Sequence, residues 1–164
     1  MFGRSFGEYF NISRFGLAII LISTIGRWAV SLSGVDYLPR GNVIFSIVLA
    51  TTYLSLCYGA MTPRIYGLNW KQALVPVILI VLVGQSLVVL STVITYAAGI
   101  DSYFNHPEAL NVTEKLSSGD AFVGRLQAIL PNVISGIVLC LIGQGLGKLL
   151  PGKDNGSDSQ TAAD

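Results

Sequence analysis

Residues 73–99 decide the fold of this chain, and they read ALVPVILIVLVGQSLVVLSTVITYAAG. These 27 residues contain no Asp, Glu, Lys, Arg or His. Because roughly 20 residues of helix cross a bilayer core about 30 Å thick, this stretch predicts a membrane-spanning helix. At about 1.5 Å per residue the stretch is longer than the core is thick, so we expect the helix to tilt or to project from it.

Three further apolar runs accompany this one and predict three more spans. The predicted spans cover residues 15–32, 43–61, 73–99 and 121–150, with a loop at 100–119. Residues 1–152 are therefore expected to form one all-α domain, a bundle of four transmembrane helices. The aromatic leader before residue 15 favours a short helix at the membrane interface, and a cleaved signal peptide is the alternative interpretation of the first run. Residues 153–164, rich in Gly, Ser, Asp and Ala, predict a disordered tail.

The composition agrees with a membrane protein. Apolar residues make up 52% of the chain and charged residues 12%, against about 25% charged residues in a soluble domain. The net charge of +1 gives no basic footprint for nucleic acid, so the expected environment is the lipid bilayer. Cys57 and Cys140 fall inside apolar runs without metal-ligand spacing, and neither a metal nor a cofactor is indicated.

An even number of spans places both termini on one side of the membrane. That side would carry six basic residues, and the opposite side four. The six are Arg4, Arg14, Arg64, Lys71, Lys148 and Lys153, and the four are Arg27, Arg40, Lys115 and Arg125. Since Lys and Arg in short flanking segments favour the cytoplasm, the sequence predicts a multi-pass protein of the plasma or inner membrane with cytoplasmic termini.

Arg27 is a candidate functional residue because an ionisable side chain within a span is costly and needs a reason. It lies near the end of its run beside Trp28, so we expect its long side chain to snorkel to the interface, with Asp36 as an ion-pair partner. A buried ligand or a subunit contact is the alternative. No Asp, Glu or His lies within any of the four runs, which argues against proton-coupled transport.

Uncharged polar residues within the runs are the next candidates. Gln85 and Thr92 are seven residues apart and so share one face of the third helix, where interhelical hydrogen bonds are expected. Pro131 lies inside the fourth run, frees the carbonyl of Gln127 and predicts a kink. With Asn132 beside it, this position is a candidate polar pocket.

Residues 101–116 hold the densest set of polar side chains in the chain. Pro107 is placed as a first helical residue behind His106, and Tyr103 and Phe104 are predicted as interfacial anchors. His106 is interpreted as a loop or cap residue. Metal binding by His106 and Glu108, with Asp101 as a third ligand, is the alternative, and it requires the three side chains to converge.

Small residues at helical spacing predict close packing in lipid. The fourth run contains a GxxxG pair, Gly143 and Gly147, which either packs inside the chain or mediates self-association or binding of another membrane subunit. The function expected from these features is that of an accessory or structural component of a membrane assembly, without catalytic machinery. The alternatives are an oligomeric channel or transporter lined by Gln85, Thr92 and Asn132, and a membrane enzyme that uses the loop.

Overall fold

A computed structural model describes residues 3–33 and 45–149 of the chain. Helix accounts for 84% of these residues, and no strand occurs among them. The elements are α1 (Phe6–Leu32), α2 (Ile47–Tyr66), α3 (Trp70–Ala97), a 3₁₀ turn (Tyr103–Asn105), α4 (Pro107–Leu110) and α5 (Ser118–Leu149). Asp36 and the predicted tail at 153–164 lie outside the described residues.

Three of these helices, α1, α3 and α5, are long and apolar enough to cross a membrane. The prediction of an all-α fold is confirmed, and three of the four predicted spans correspond to such helices. The second predicted span corresponds to α2, which is shorter, at 20 residues. Four Ser and Thr side chains and an internal Pro63-Arg64 pair lower its apolar character, the four being Thr51, Thr52, Ser55 and Thr62.

From Phe6 onward the aromatic leader is part of α1 and does not form a separate interfacial helix. Ser5 caps α1, because its hydroxyl accepts a hydrogen bond from the Glu8 amide at 3.3 Å. The Glu8 carboxylate in turn accepts from the Ser5 amide at 2.7 Å. This reciprocal pair satisfies two amides that the first helical turn would leave free, so α1 begins nine residues before the predicted span at residue 15.

The link between α2 and α3 is shorter than the sequence predicted. α2 continues through Pro63 to Tyr66 and ends at Gly67, whose φ of 61° is the left-handed conformation that glycine adopts without steric cost. α3 begins at Trp70, because the Asn69 side chain and Gln72 form a second reciprocal cap with both hydrogen bonds at 2.9 Å. The predicted boundaries at residues 61 and 73 are therefore corrected to 66 and 70.

The contacts between helices give their relative directions. Gly16 faces Ile80, and Trp28, further along α1, donates to Ser91, further along α3, at 3.0 Å. These two helices therefore run parallel. α2 runs in the opposite direction. Phe45, just before α2, lies against Gly26 near the end of α1, whereas the Tyr58 hydroxyl donates to the Ile12 carbonyl at 3.1 Å near the start of α1.

α2 and α5 run parallel and pack backbone against backbone. A Cβ atom on Gly143 would collide with the carbonyl oxygen of Leu56, and one on Gly147 would lie 2.7 Å from the Ala60 carbonyl oxygen. Such close approach is how helices associate in lipid, where burial of apolar surface supplies no driving force. The GxxxG pair is thus used inside the chain.

The four long helices leave two distinct ends. The loop end, where α1 and α3 finish and α5 begins, also holds the 3₁₀ turn and α4. The terminal end holds the starts of α1 and α3 and the ends of α2 and α5. One buried apolar cluster extends to the loop end and includes Phe104 together with Ile20, Ile47, Leu54, Ile80 and Val88.

Candidate functional site at the loop end

The 3₁₀ turn lies inside the loop end of the bundle. Ser102 holds the turn by accepting from the Phe104 amide at 3.1 Å, and the Asn105 side chain donates to the Ile100 carbonyl at 2.9 Å. Phe104 is 1% exposed, and its ring centroid lies 5.3 Å from that of Trp28. The prediction that Phe104 anchors in the interface is therefore wrong, because α1 and α3 leave a site between them that this ring fills.

Arg27 lies directly beside this turn. Its guanidinium carbon is 3.9 Å from the centroid of the Tyr103 ring, and the residue is only 3% exposed. Tyr103 is held in place by its backbone amide, which donates to the Ser31 hydroxyl at 2.7 Å. The guanidinium is therefore covered by an aromatic ring and does not reach water as the sequence suggested. Its Nη1 is buried and has no hydrogen-bond partner in the described part of the chain.

Gln85 and Thr92 lie on the buried face of α3, as their spacing predicted, with exposures of 4% and 1%. The Thr92 hydroxyl donates to the Val88 carbonyl at 2.9 Å and approaches the Phe104 carbonyl at 3.4 Å. The Gln85 Nε2 is buried and has no hydrogen-bond partner among the residues described.

Arg125 is a site residue that the sequence analysis did not single out. Its Nη2 donates to the Phe104 carbonyl at 3.3 Å, while its Nε is buried without a partner in the described ranges. The signal was present, since Arg125 lies within the fourth apolar run as Arg27 lies within the first. Two guanidinium groups from different helices therefore hold consecutive residues of the same turn.

A cleft of about 260 Å³ opens beside the turn, between α3 and α5. Thr92, Tyr96 and Phe122 line it together with Ser118. The Tyr96 hydroxyl donates to the Leu116 carbonyl at 2.9 Å and so fastens the last part of the loop to α3. The loop is therefore attached at both its beginning and its end.

The helix start predicted at Pro107 is confirmed, with His106 as the residue before it. α4 is a single turn that ends at Asn111, whose φ is 56°. Asp101 forms an ion pair with Lys115, and the hydrogen bond and positive charge of that lysine lower the pKa of the Asp101 carboxyl. Glu108 is exposed, and within residues 3–33 and 45–149 no three His, Cys, Asp or Glu side chains gather to hold a metal.

Pro131 and Asn132 lie in the middle of α5, which continues without interruption from Ser118 to Leu149. Pro131 is exposed on the outer surface of the helix. The Asn132 side chain donates to the Ala128 carbonyl of its own helix at 2.8 Å. The Asn132 side chain therefore binds the carbonyl of Ala128, one turn earlier on the same helix, and Ala128 is the neighbour of Gln127, whose carbonyl Pro131 leaves free.

The geometry of the loop end is a closed cap, in which two arginines and a buried aromatic ring fix a short turn between helices. Comparison of the chain with known protein families, with curated proteins and with solved structures gave no match.

Proposed function

We propose that this chain is a four-helix integral membrane protein with both termini in the cytoplasm, and that it serves as an accessory or structural component of a membrane assembly. The observation that carries the proposal is the cap at the loop end, where Phe104 is 1% exposed and Arg27 is 3% exposed. A cap fixed from three helices presents α4 and the following residues as a defined surface outside the bundle.

The parallel direction of α1 and α3 supports a fourth crossing by α2. If α1 and α3 both cross the membrane in the same direction, the chain must return between them. α2 lies antiparallel to α1 through the Tyr58 contact and packs along α5 through Gly143 and Gly147. A helix of 20 residues spans about 30 Å, which matches the hydrocarbon core.

The distribution of basic side chains supports the orientation. Within the described residues the terminal end carries Arg4, Arg14, Arg64, Lys71 and Lys148, with Glu8 as its acidic residue. The loop end carries four acidic residues, Asp101, Glu108, Glu114 and Asp120. Basic residues near span ends favour the cytoplasm, so the five at the terminal end, against Arg27, Lys115 and Arg125 at the loop end, support a cytoplasmic terminal end.

The unsatisfied Gln85 amide favours a second candidate, a channel or transporter that opens by moving the cap. Such a path would pass Gln85 and Thr92 and leave the bundle where Phe104 now lies. The accessory role needs no such movement, since Phe104 packs on Trp28 and its carbonyl accepts a hydrogen bond from Arg125. We therefore place the channel second.

Photocross-linking in native membranes tests the proposal. A photoreactive residue in place of Glu114, an exposed loop position, should yield one adduct of discrete mass. The same residue in place of Arg14, which is exposed at the terminal end, is the matched control and should yield no such adduct. Absence of any adduct from the loop, together with ion conductance of the reconstituted protein, would favour the channel and overturn the accessory role.

A further inference from the structure

A second cleft lies at the terminal end, where α2 and α5 finish and α3 begins. Its volume is about 410 Å³, and its polar lining comprises Arg64, Trp70, Gln144 and Lys148. Pro63 and Ala60 add an apolar wall. The cleft therefore combines cationic side chains, an indole ring and apolar surface from three different helices.

The charged side chains described around this cleft are basic. Arg64 and Lys148 come from α2 and α5, and a third cation, Lys71, lies with its Nζ 5.3 Å from the centroid of the Trp70 ring. Among the residues that the structure describes, none of those that line the cleft is acidic. Glu8, the acidic residue described at this end, accepts hydrogen bonds from the backbone and hydroxyl of Ser5.

The walls of the cleft are fixed by the packing of α2 on α5. Gly147 of α5 lies close against the Ala60 backbone of α2. Arg64 follows Ala60 by one helical turn and Lys148 follows Gly147 directly, so the two basic residues lie at adjacent helix ends. Gln144 joins α5 to the start of α3 by donating to the Trp70 carbonyl at 3.3 Å. The two cations therefore face a preformed space, which lowers the conformational cost of binding.

We propose that this cleft binds the phosphate group of an anionic membrane lipid. The proposal rests on the membrane placement given above, which brings the cleft to the level of the lipid head groups. Tryptophan prefers that level, and basic pockets between transmembrane helices bind anionic head groups there. Arg64 and Lys148 would hold the phosphate, while Trp70 and Pro63 lie where the glycerol and first acyl carbons would pass.

Quenching of Trp70 fluorescence by brominated lipid measures this binding directly. The full chain carries two tryptophans, so a Trp28→Phe variant leaves Trp70 as the sole reporter. The purified protein in neutral detergent is titrated with brominated phosphatidylglycerol or brominated phosphatidylcholine, at about 0.15 M salt to screen remote charges. Native mass spectrometry of the unsubstituted protein counts the retained lipids and checks that Trp28→Phe has not altered the site.

Phosphatidylglycerol should bind about 25-fold more tightly than phosphatidylcholine, because each of the two basic residues near an anionic head group contributes about 1 kcal/mol, which is about five-fold. Arg64→Gln and Lys148→Gln should each weaken binding about five-fold by the same constant. Arg64→Lys and Lys148→Arg should retain most of it, since the charge is kept. Arg14→Gln removes an exposed cation of the same end that does not line the cleft, and it should change binding less than about two-fold.

Three results would overturn the proposal. Equal affinity for the two lipids would remove the need for an anionic head group. An equal loss in Arg14→Gln would mean diffuse surface charge in place of a site. Displacement of the lipid by millimolar inorganic phosphate would assign the cleft to a soluble phosphate group. Since the assay uses neither a partner protein nor intact cells, its failure is distinguishable from failure of the accessory function.

Discussion

Arg27 shows how a charged side chain is accommodated inside an apolar run of a helix. The sequence marks it as unusual because it interrupts an apolar run. Its partner, Tyr103, is 76 positions away and belongs to a loop, so helical periodicity could not identify the contact. The same holds for Arg125, whose acceptor is a backbone carbonyl in that loop. Contacts of this kind depend on how the loop folds back, which local spacing does not encode.

Replacing Arg27 by lysine should destabilise the protein although the charge is kept. A lysine ammonium is more strongly hydrated than a guanidinium and cannot stack on the Tyr103 ring, so we expect a loss of about 1–2 kcal/mol. Arg14→Lys, at an exposed position of the same helix, is the matched control and should be neutral. Thermal unfolding in detergent measures both, and equal stability of the two variants would contradict the buried stacking contact.

The ion pair of Asp101 with Lys115 makes the loop sensitive to acid. Lys115 lowers the pKa of Asp101 in the folded protein. The stabilisation from this ion pair is therefore complete above the ordinary aspartate pKa of about 3.9, and it is lost as the pH falls through the lowered value. Hydrogen exchange of the loop, corrected for its intrinsic rate, should therefore accelerate only below about pH 3.9. Asp101→Asn should remove this dependence, and an unchanged profile in that variant would exclude the pair as its cause.

Among the elements, the helix starts carry the clearest signals in the sequence, and the packing of α2 carries the weakest. Ser5 with Glu8 and Asn69 with Gln72 both match a capping pattern, yet the spans were placed by apolar content and so began too late. The second predicted span ended at residue 61, before Pro63, but α2 continues through this proline for three residues. Gly143 and Gly147 indicated a seam, and only the structure identifies α2 as its other side.

The seam between α2 and α5 predicts opposite effects for two neighbouring glycines. Gly143→Ala would place a methyl group against the Leu56 carbonyl and should cost about 1–3 kcal/mol through overpacking. Gly145→Ala meets no atom within 4 Å and should stabilise α5 by about 0.5–1 kcal/mol. Thermal unfolding of the two variants measures the difference, and similar stabilities would show that α5 does not pack on α2 through this face.

The backbone amides of the loop should be protected from hydrogen exchange as far as Val112 and unprotected after it. The amides of Asn105, His106, Ala109, Asn111 and Val112 donate to backbone carbonyls, whereas those of residues 113–115 make no hydrogen bond in the part of the chain described. Tyr103→Ser combined with Phe104→Ser should remove the protection at Ala109 to Val112, because the turn then loses its buried anchor. Exchange at Val112 as fast as at Glu114 in the unsubstituted protein would mean that the loop is not ordered.

For the molecule as a whole, composition and apolar runs were enough to predict an all-α membrane protein. They could not establish how many helices cross, because α2 combines moderate apolar content with hydroxyl side chains. Those hydroxyls donate to carbonyls of their own helix, as Ser55 does to Thr51 at 2.7 Å and Thr62 to Tyr58 at 2.6 Å. Such bonds remove the cost of burying the hydroxyl hydrogens in lipid, and hydropathy values do not account for them.

The central claim is that α2 crosses the membrane, and single cysteines test it most directly. In a variant with Cys57 and Cys140 replaced by alanine, one cysteine is placed at Gly7, Ser33, Tyr66 or Glu114, all exposed positions. An impermeant thiol reagent is applied to intact cells, and a permeant reagent confirms that each cysteine is reactive.

The account predicts labelling of Ser33→Cys and Glu114→Cys and protection of Gly7→Cys and Tyr66→Cys. Gly7 lies at the start of α1 and Tyr66 at the end of α2, so once α1 has crossed they share a side only if α2 crosses back. Labelling of Tyr66→Cys together with Ser33→Cys, with Glu114→Cys and Gly7→Cys protected, would mean that α2 stays on one side and would contradict the four-helix architecture.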